Sequence, residues 1–166
     1  MSSKLQKRSR KTGLAPGSLV HIGSKYTEQS NINIVCYNET FFEEKEISSM
    51  KDFHPEKDEK VITWINIDGL EDIKLFEDIG ERFSLHPLIL EDILNTGQRP
   101  KMEDYGDYIY LVLKNFYGTK GEDLVSDQVS IILGKDFVLS FQERASDLEE
   151  SIREKIRKNK GRIRKE

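Results

Sequence analysis

The chain has 166 residues, 36% hydrophobic and 34% charged, with a formal net charge of −4; that length suits one domain with a single core. Its longest apolar run, Tyr108 to Leu113, falls far short of the roughly 20 residues that a membrane helix needs. Charge is unevenly spread: Met1 to Lys25 carries six Lys or Arg and no acid, Ser151 to Glu166 eight against two, and the stretch between them 12 against 28, so the body should attract cations and repel nucleic acid while the basic ends suit polyanions or anionic headgroups.

Residues 1–16 carry Lys and Arg without apolar periodicity and read as a flexible basic leader ending at the Ala15-Pro16-Gly17 turn. No apolar core follows the basic start, so it is not a secretory signal. The domain proper is expected over residues 17–166. Leu19 to Ile22 reads as a short strand, Ile32 to Tyr37 as a clearer one and Phe42 to Ile47 as an edge strand with Glu and Lys outward. Ser48 to Phe53 has room for one helical turn. Val61 to Ile67 has apolar residues on both faces and reads as a central strand. Glu71 to Phe83 then places Ile73, Phe76 and Ile79 at helical spacing.

The stretch FSLHPLILEDILNTGQRPKMEDYGDYIYLVLK, Phe83 to Lys114, is the most organised part of the chain. Pro87 stands at a first helical position with Ser84 as the expected cap, and Asn95 and Gly97 supply stop signals. On this helix Ile89, Leu90, Ile93 and Leu94 form one apolar arc, while Glu91, Asp92 and Asn95 fall opposite, so the carboxylates are expected to face outward. Adjacent helical residues point about 100° apart. Glu91 and Asp92 therefore do not close on one small ion unaided, and further ligands must come from elsewhere.

Strands are expected over Tyr108–Tyr117, Val125–Leu133 and Phe137–Phe141, paired antiparallel through short loops, with Gly134-Lys135-Asp136 as a tight turn. Leu148, Ile152 and Ile156 mark a terminal helix at i, i+4, i+8. No apolar stop precedes its basic end, which reads as a cut within a longer protein. His21, His54 and His86 fit no zinc spacing, and Cys36 reads as a core residue. Glu103, Asp104 and Asp107 could offer an acid and a base from a turn. Phosphate-loop, nucleophile-elbow and metalloprotease motifs are absent.

LHPLILEDILN, QRPK and YIYLVLK together resemble the cytosolic N-terminal domain of CorA-type magnesium and cobalt transport proteins. The resemblance extends through KTGLAPGSLVHIG, VITWINIDGL, SDQVSIILGKDFVLSFQE and IREKIRKNKGRIRK. It implies a three-layer α/β/α sandwich with a mixed, partly antiparallel sheet of six or seven strands, and a non-enzymatic regulatory domain on the cytoplasmic face of a membrane. Asp92, Glu91 and the backbone of Leu14 are then the implied metal contributors. They would face a neighbouring subunit of a homopentamer, with magnesium as the regulatory ion and cobalt as a second candidate. The family's stalk helix, membrane helices and Gly-Met-Asn pore signature are not in this sequence, so membrane contact would come only through segments beyond it. The rival readings are a free-standing α/β enzyme acting on a small substrate and a nucleic-acid binder using the basic ends.

Overall fold

The computed structural model describes residues 15–23, 30–55, 60–118, 125–145 and 147–165. Seven strands form one sheet: β1 (Asn31–Tyr37), β2 (Phe42–Ile47), β3 (Ile62–Asp68), β4 (Lys101–Asp104), β5 (Tyr108–Tyr117), β6 (Val125–Gly134) and β7 (Phe137–Gln142). Their order is β2-β1-β3-β7-β6-β5-β4, with β3 and β7 parallel and every other pair antiparallel. The helices are α1 (Ile73–Arg82), α2 (Pro87–Leu94) and α3 (Asp147–Arg157), with a short 3-10 turn at Met50–Asp52.

Local chemistry sets the turns. Between β1 and β2, Asn38 Oδ1 accepts from the amides of Thr40 at 2.9 Å and Phe41 at 2.7 Å, an Asx turn that reverses the chain. Between β6 and β7, a Cβ on Gly134 would lie 2.2 Å from the Phe137 ring. Only glycine leaves room for that ring at the start of the next strand.

The main core lies on one face of the sheet. Ile32, Ile34, Ile65, Ile67, Leu139 and Phe141 meet Phe76 and Ile79 of α1 and Ile89, Leu90, Ile93 and Leu94 of α2; the Phe76 and Phe141 rings lie 5.6 Å apart. On the opposite face α3 contributes Ile156 to a smaller cluster with Val35 and Trp64. The sandwich therefore has three layers of unequal depth. Over β4, β5 and β6 this second face stays open among the described residues, and Met102, Leu113 and Leu133 are exposed there.

Beneath α3, the even-numbered residues of β3 and their β7 partners form a buried polar column. Trp64 Nε1 donates to Ser140 Oγ at 2.9 Å, Ser140 Oγ donates to Asn66 Oδ1 at 2.6 Å, and Asp68 Oδ1 accepts from Asn66 Nδ2 and Gln142 Nε2. Glu149 of α3 is 4% exposed, and its carboxyl faces Gln142 without a hydrogen bond of good geometry to either oxygen. Burial pushes its carboxyl up to about 7; Gln142 and Arg153 pull the other way, and the charge of Asp68 adds to the rise.

Four local expectations change. Leu19 to Ile22 makes no strand, only a parallel bridge from Ile22 to Asn95, because the backbone hydrogen bonds of Ile22 go to Leu94 and Thr96 at the end of α2. Ser84 does not cap α2. It ends α1 at φ 51°, where Leu85 N donates to Gly80 O and Ser84 N to Glu81 O, the paired bonds of a Schellman stop. The cap falls to His86, whose Nδ1 accepts from Leu88 N at 3.2 Å. Glu103 and Asp104, expected in a turn, lie in the edge strand β4. In α3, Ile156 is buried as expected, whereas Ile152 is 38% exposed.

Two predictions follow from this packing. Trp64 is 7% exposed, and Trp64→Ala should cost about 3–5 kcal/mol by urea unfolding, with exposed Lys135→Ala nearly neutral; equal midpoints for the two variants would refute the central placement of β3. Glu149 has a folded pKa above its unfolded value, so the folded state holds the extra proton, and stability should fall as pH rises from about 4.5 through about 7. Glu149→Gln should remove that decline, opening a melting-temperature gap on the order of 5 °C over wild type at alkaline pH. Parallel pH profiles for the two proteins would rule the effect out.

Candidate metal centre

Helix α2 is pinned to the sheet by four side chains that are at most 5% exposed, Ile89, Leu90, Ile93 and Leu94. That burial fixes the rotation of the helix, and it turns Glu91 and Asp92 away from the core. Neither is fully outward, however. Both are half-buried and already partnered.

Glu91 Oε2 accepts from Gly17 N at 2.6 Å. Gly17 lies in the Ala15-Pro16-Gly17 turn, closed by Ser18 N to Ala15 O at 3.2 Å; its φ of 84° is open to glycine, and Pro16 presets the residue before it. The turn thus presents an amide hydrogen to a carboxylate 74 residues away. Farther along, Ile22 N donates to Leu94 O at 2.8 Å and Thr96 N to Ile22 O at 3.2 Å, so residues 15–23 run against α2. Leu14, the third implied contributor, lies outside the described residues.

Asp92 is held by two donors. Gln98 Nε2 meets Oδ1 at 2.7 Å and Lys101 Nζ meets Oδ2 at 2.7 Å, with 25% of the Asp92 side chain left exposed. The same ammonium reaches Glu103 Oε1 at 2.8 Å and lies 5.3 Å from the centre of the Tyr110 ring. Burial disfavours its charge, yet the hydrogen bonds and charges of Asp92 and Glu103 outweigh burial and hold Lys101 protonated well above the ordinary lysine range. The bond from Lys101 keeps the Glu103 carboxyl below its usual range against a modest desolvation. Glu91 and Asp92 were singled out in the sequence, whereas Gln98 and Lys101 were not, and Glu103 was read only as an acid or base in a turn. Their signal was present in QRPKMED: once Lys101 to Asp104 is a strand, Lys101 and Glu103 share a face at i, i+2.

The other candidates do not converge on one site. Asp104 Oδ1 accepts from Gly106 N at 2.8 Å and shapes a turn, Asp107 is exposed, His86 caps α2 and His54 is exposed. A separate cluster gathers where β5, β6 and β7 meet the end of α2. Arg144 Nε and Tyr117 OH both bond Asp127 Oδ2, at 2.8 and 2.7 Å, and Lys114 Nζ donates to Thr96 O at 2.9 Å. Burial raises the carboxyls of Asp127 and Glu143 and lowers Lys114. Cys36 is buried beside Thr63. Among the described residues no group of three or more His, Cys, Asp or Glu is placed to hold a metal by itself, and no helix is long and apolar enough to cross a membrane.

Comparison with known proteins supplies the context. The family model for CorA-like Mg2+ transporter protein matches residues 59–166. Over 158 residues the chain is 44% identical to the cobalt/magnesium transport protein CorA of Thermotoga maritima, covering 95% of this chain and 45% of that protein. Over 80 residues it is 34% identical to the putative metal ion transporter YfjQ of Bacillus subtilis, covering 47% and 23%. The chain thus spans less than half the length of either relative. Among solved structures, the full-length CmaX protein superposes with TM-score 0.62 at 15% identity, over 83% of this chain and 42% of that one. The soluble domain of CorA from Methanocaldococcus jannaschii gives 0.55 at 13%, over 79% and 50%. These likenesses establish the mixed-sheet fold.

The tether between Glu91 and Gly17 is testable on the chain itself. Glu91→Ala should speed hydrogen exchange at the Gly17 amide roughly tenfold, the scale of a lost charge-assisted bond, while amides of β3 stay protected. Unchanged exchange at Gly17 would show that Glu91 does not hold the turn.

Proposed function

The chain belongs to the CorA-like Mg2+ transporter family, and we propose that it serves as the regulatory domain of a longer divalent-cation transport protein, sensing magnesium on the cytoplasmic face of the membrane. Asp92 and Glu91 act as carboxylate ligands, with the backbone of Leu14 as a further contributor and the remaining ligands supplied by a neighbouring subunit of a homopentamer. The observation that supports this best is the placement of Asp92: its carboxylate sits on a helix locked to the core, still partly open to solvent, and it engages a cationic group at 2.7 Å. A rigid, reachable carboxylate suits an ion bridging two surfaces. Magnesium tends to keep several waters and to take one or two protein carboxylates, so the pair on α2 forms half of a site, and the isolated domain binds weakly. Cobalt, named beside magnesium for the Thermotoga maritima relative, is the second candidate.

Regulation follows from differential affinity. Ions that bridge subunits only when the pore is closed favour closure by the ratio of their affinities for the two states. Lowering the magnesium concentration empties the bridges, and the acidic surfaces then repel one another. The domain performs no catalysis in this scheme; the Thermotoga maritima relative is a transport protein and the Bacillus subtilis relative a putative metal ion transporter.

Asp92→Asn in the full-length parent keeps the shape of the helix and removes the charge a bridging ion needs. It also loses the ion pair with Lys101, costing about 1 kcal/mol or less at a partly exposed site, so the domain stays folded. Magnesium-dependent protease protection should shift to higher magnesium or vanish, and ion flux should persist at magnesium levels that close the wild type. A wild-type response with folding intact would remove Asp92 from the regulatory site.

A further inference from the structure

Resting on that reading of Asp92, we propose that Lys101 is a tethered counter-ion that competes with the divalent ion for Asp92 and so sets the magnesium concentration at which the site fills. The Lys101 ammonium lies 2.7 Å from Asp92 Oδ2 and 2.8 Å from Glu103 Oε1, bridging a carboxylate on α2 and one on β4. Magnesium would sit about 2.0–2.1 Å from an oxygen it binds. Oδ2 cannot hold both at once, because the two cations would be forced within a few ångströms of each other. Oδ1 is taken by the Gln98 amide at 2.7 Å, and an ion that displaced Gln98 there would still lie within a few ångströms of the ammonium on the other oxygen of the same carboxylate. Filling the site is therefore an exchange of the lysine for the ion.

Glu103 makes the exchange reversible. When the ion takes Asp92, Lys101 keeps its contact with Glu103, so one ion pair is lost, not two. The lysine stem is long and flexible, β4 is a four-residue edge strand, and the ammonium is part-exposed, so the side chain can move without disturbing the core. The buried Tyr110 ring beneath it and the rigid α2 beside it stay in place.

Competition of this kind gives variants with opposite signs. In the full-length parent, titrated with magnesium chloride and read by protease protection, Lys101→Met should lower the midpoint roughly tenfold, since it removes the competing charge and keeps the aliphatic stem over Tyr110. Lys101→Gln should shift it the same way, which guards against a folding defect peculiar to one variant. Glu103→Gln should raise the midpoint, because Lys101 then has only Asp92 to hold, and this effect should disappear in the Lys101→Met background. If Asp92→Asn abolishes the response while both Lys101 variants, folded by thermal unfolding, titrate like wild type, the competition is refuted and the ligand role of Asp92 stands. If Asp92→Asn itself responds like wild type, the regulatory reading fails first. A Glu103→Gln shift that persists without Lys101 would show Glu103 acting on the ion directly and would overturn the exchange.

Discussion

The parallel pairing of β3 with β7 governs the rest of the architecture. Antiparallel neighbours can close through two residues, as Lys135-Asp136 does between β6 and β7, but a parallel pair needs a crossover. Residues 69–136 must leave the end of β3, cross one face of the sheet and return to start β7 beside it. That path lays α1 and α2 on a single face, where their apolar arcs complete the main core, and sends β4 to the far edge. The proximity of Lys101 to Asp92 follows from it. The strand that leaves α2 becomes the outermost member of the sheet, directly beside the helix it came from.

Much of this was legible in the chain. Apolar runs and turn chemistry located β1, β2, β3, β5, β6 and β7 within a residue or so, and the arc of Ile89, Leu90, Ile93 and Leu94 fixed the orientation of α2, because burial there follows directly from helical spacing. Lys101-Met102-Glu103-Asp104 was illegible as a strand, since three of its four residues carry charge and its pairing with β5 is supplied by the partner strand and not by its own propensity. Leu19 to Ile22 failed in the opposite way: apolar residues read as a strand settle instead along α2. Of the candidate site, residue type and helical phase turned the acidic pair away from the core, and its role as a metal contributor came from the family resemblance alone. The groups that hold it, Gly17 and Lys101, arrive by tertiary folding, which local pattern does not encode.

The unequal layers also bear on the basic C-terminal end. Helix α3 rests on Ile156 and a few partly buried neighbours, over a polar column that must keep every hydrogen bond made. Charge supplements this thin apolar contact. Arg157 Nη2 meets Glu44 Oε2 at 2.7 Å, and the Arg164 guanidinium lies 4.8 Å from the Phe42 ring. Part of the basic end is therefore spent against the acidic body on β2, which weakens the case for a free polyanion-binding patch. Elements docked in this way sit at the low end of local stability.

The junction of α1 and α2 holds a consequence of its own. Ser84 adopts a left-handed conformation at φ 51°, which disfavours a side chain with a Cβ by about 1–2 kcal/mol, and glycine would occupy it freely. Three residues later Pro87 begins the helix that carries the acidic pair, so the angle at Ser84 sets the direction in which Glu91 and Asp92 are presented. Natural chains commonly stop short of their stability optimum. Here the unclaimed margin sits at a hinge between two helices, where stiffening the backbone and re-aiming the carboxylates would be one and the same change.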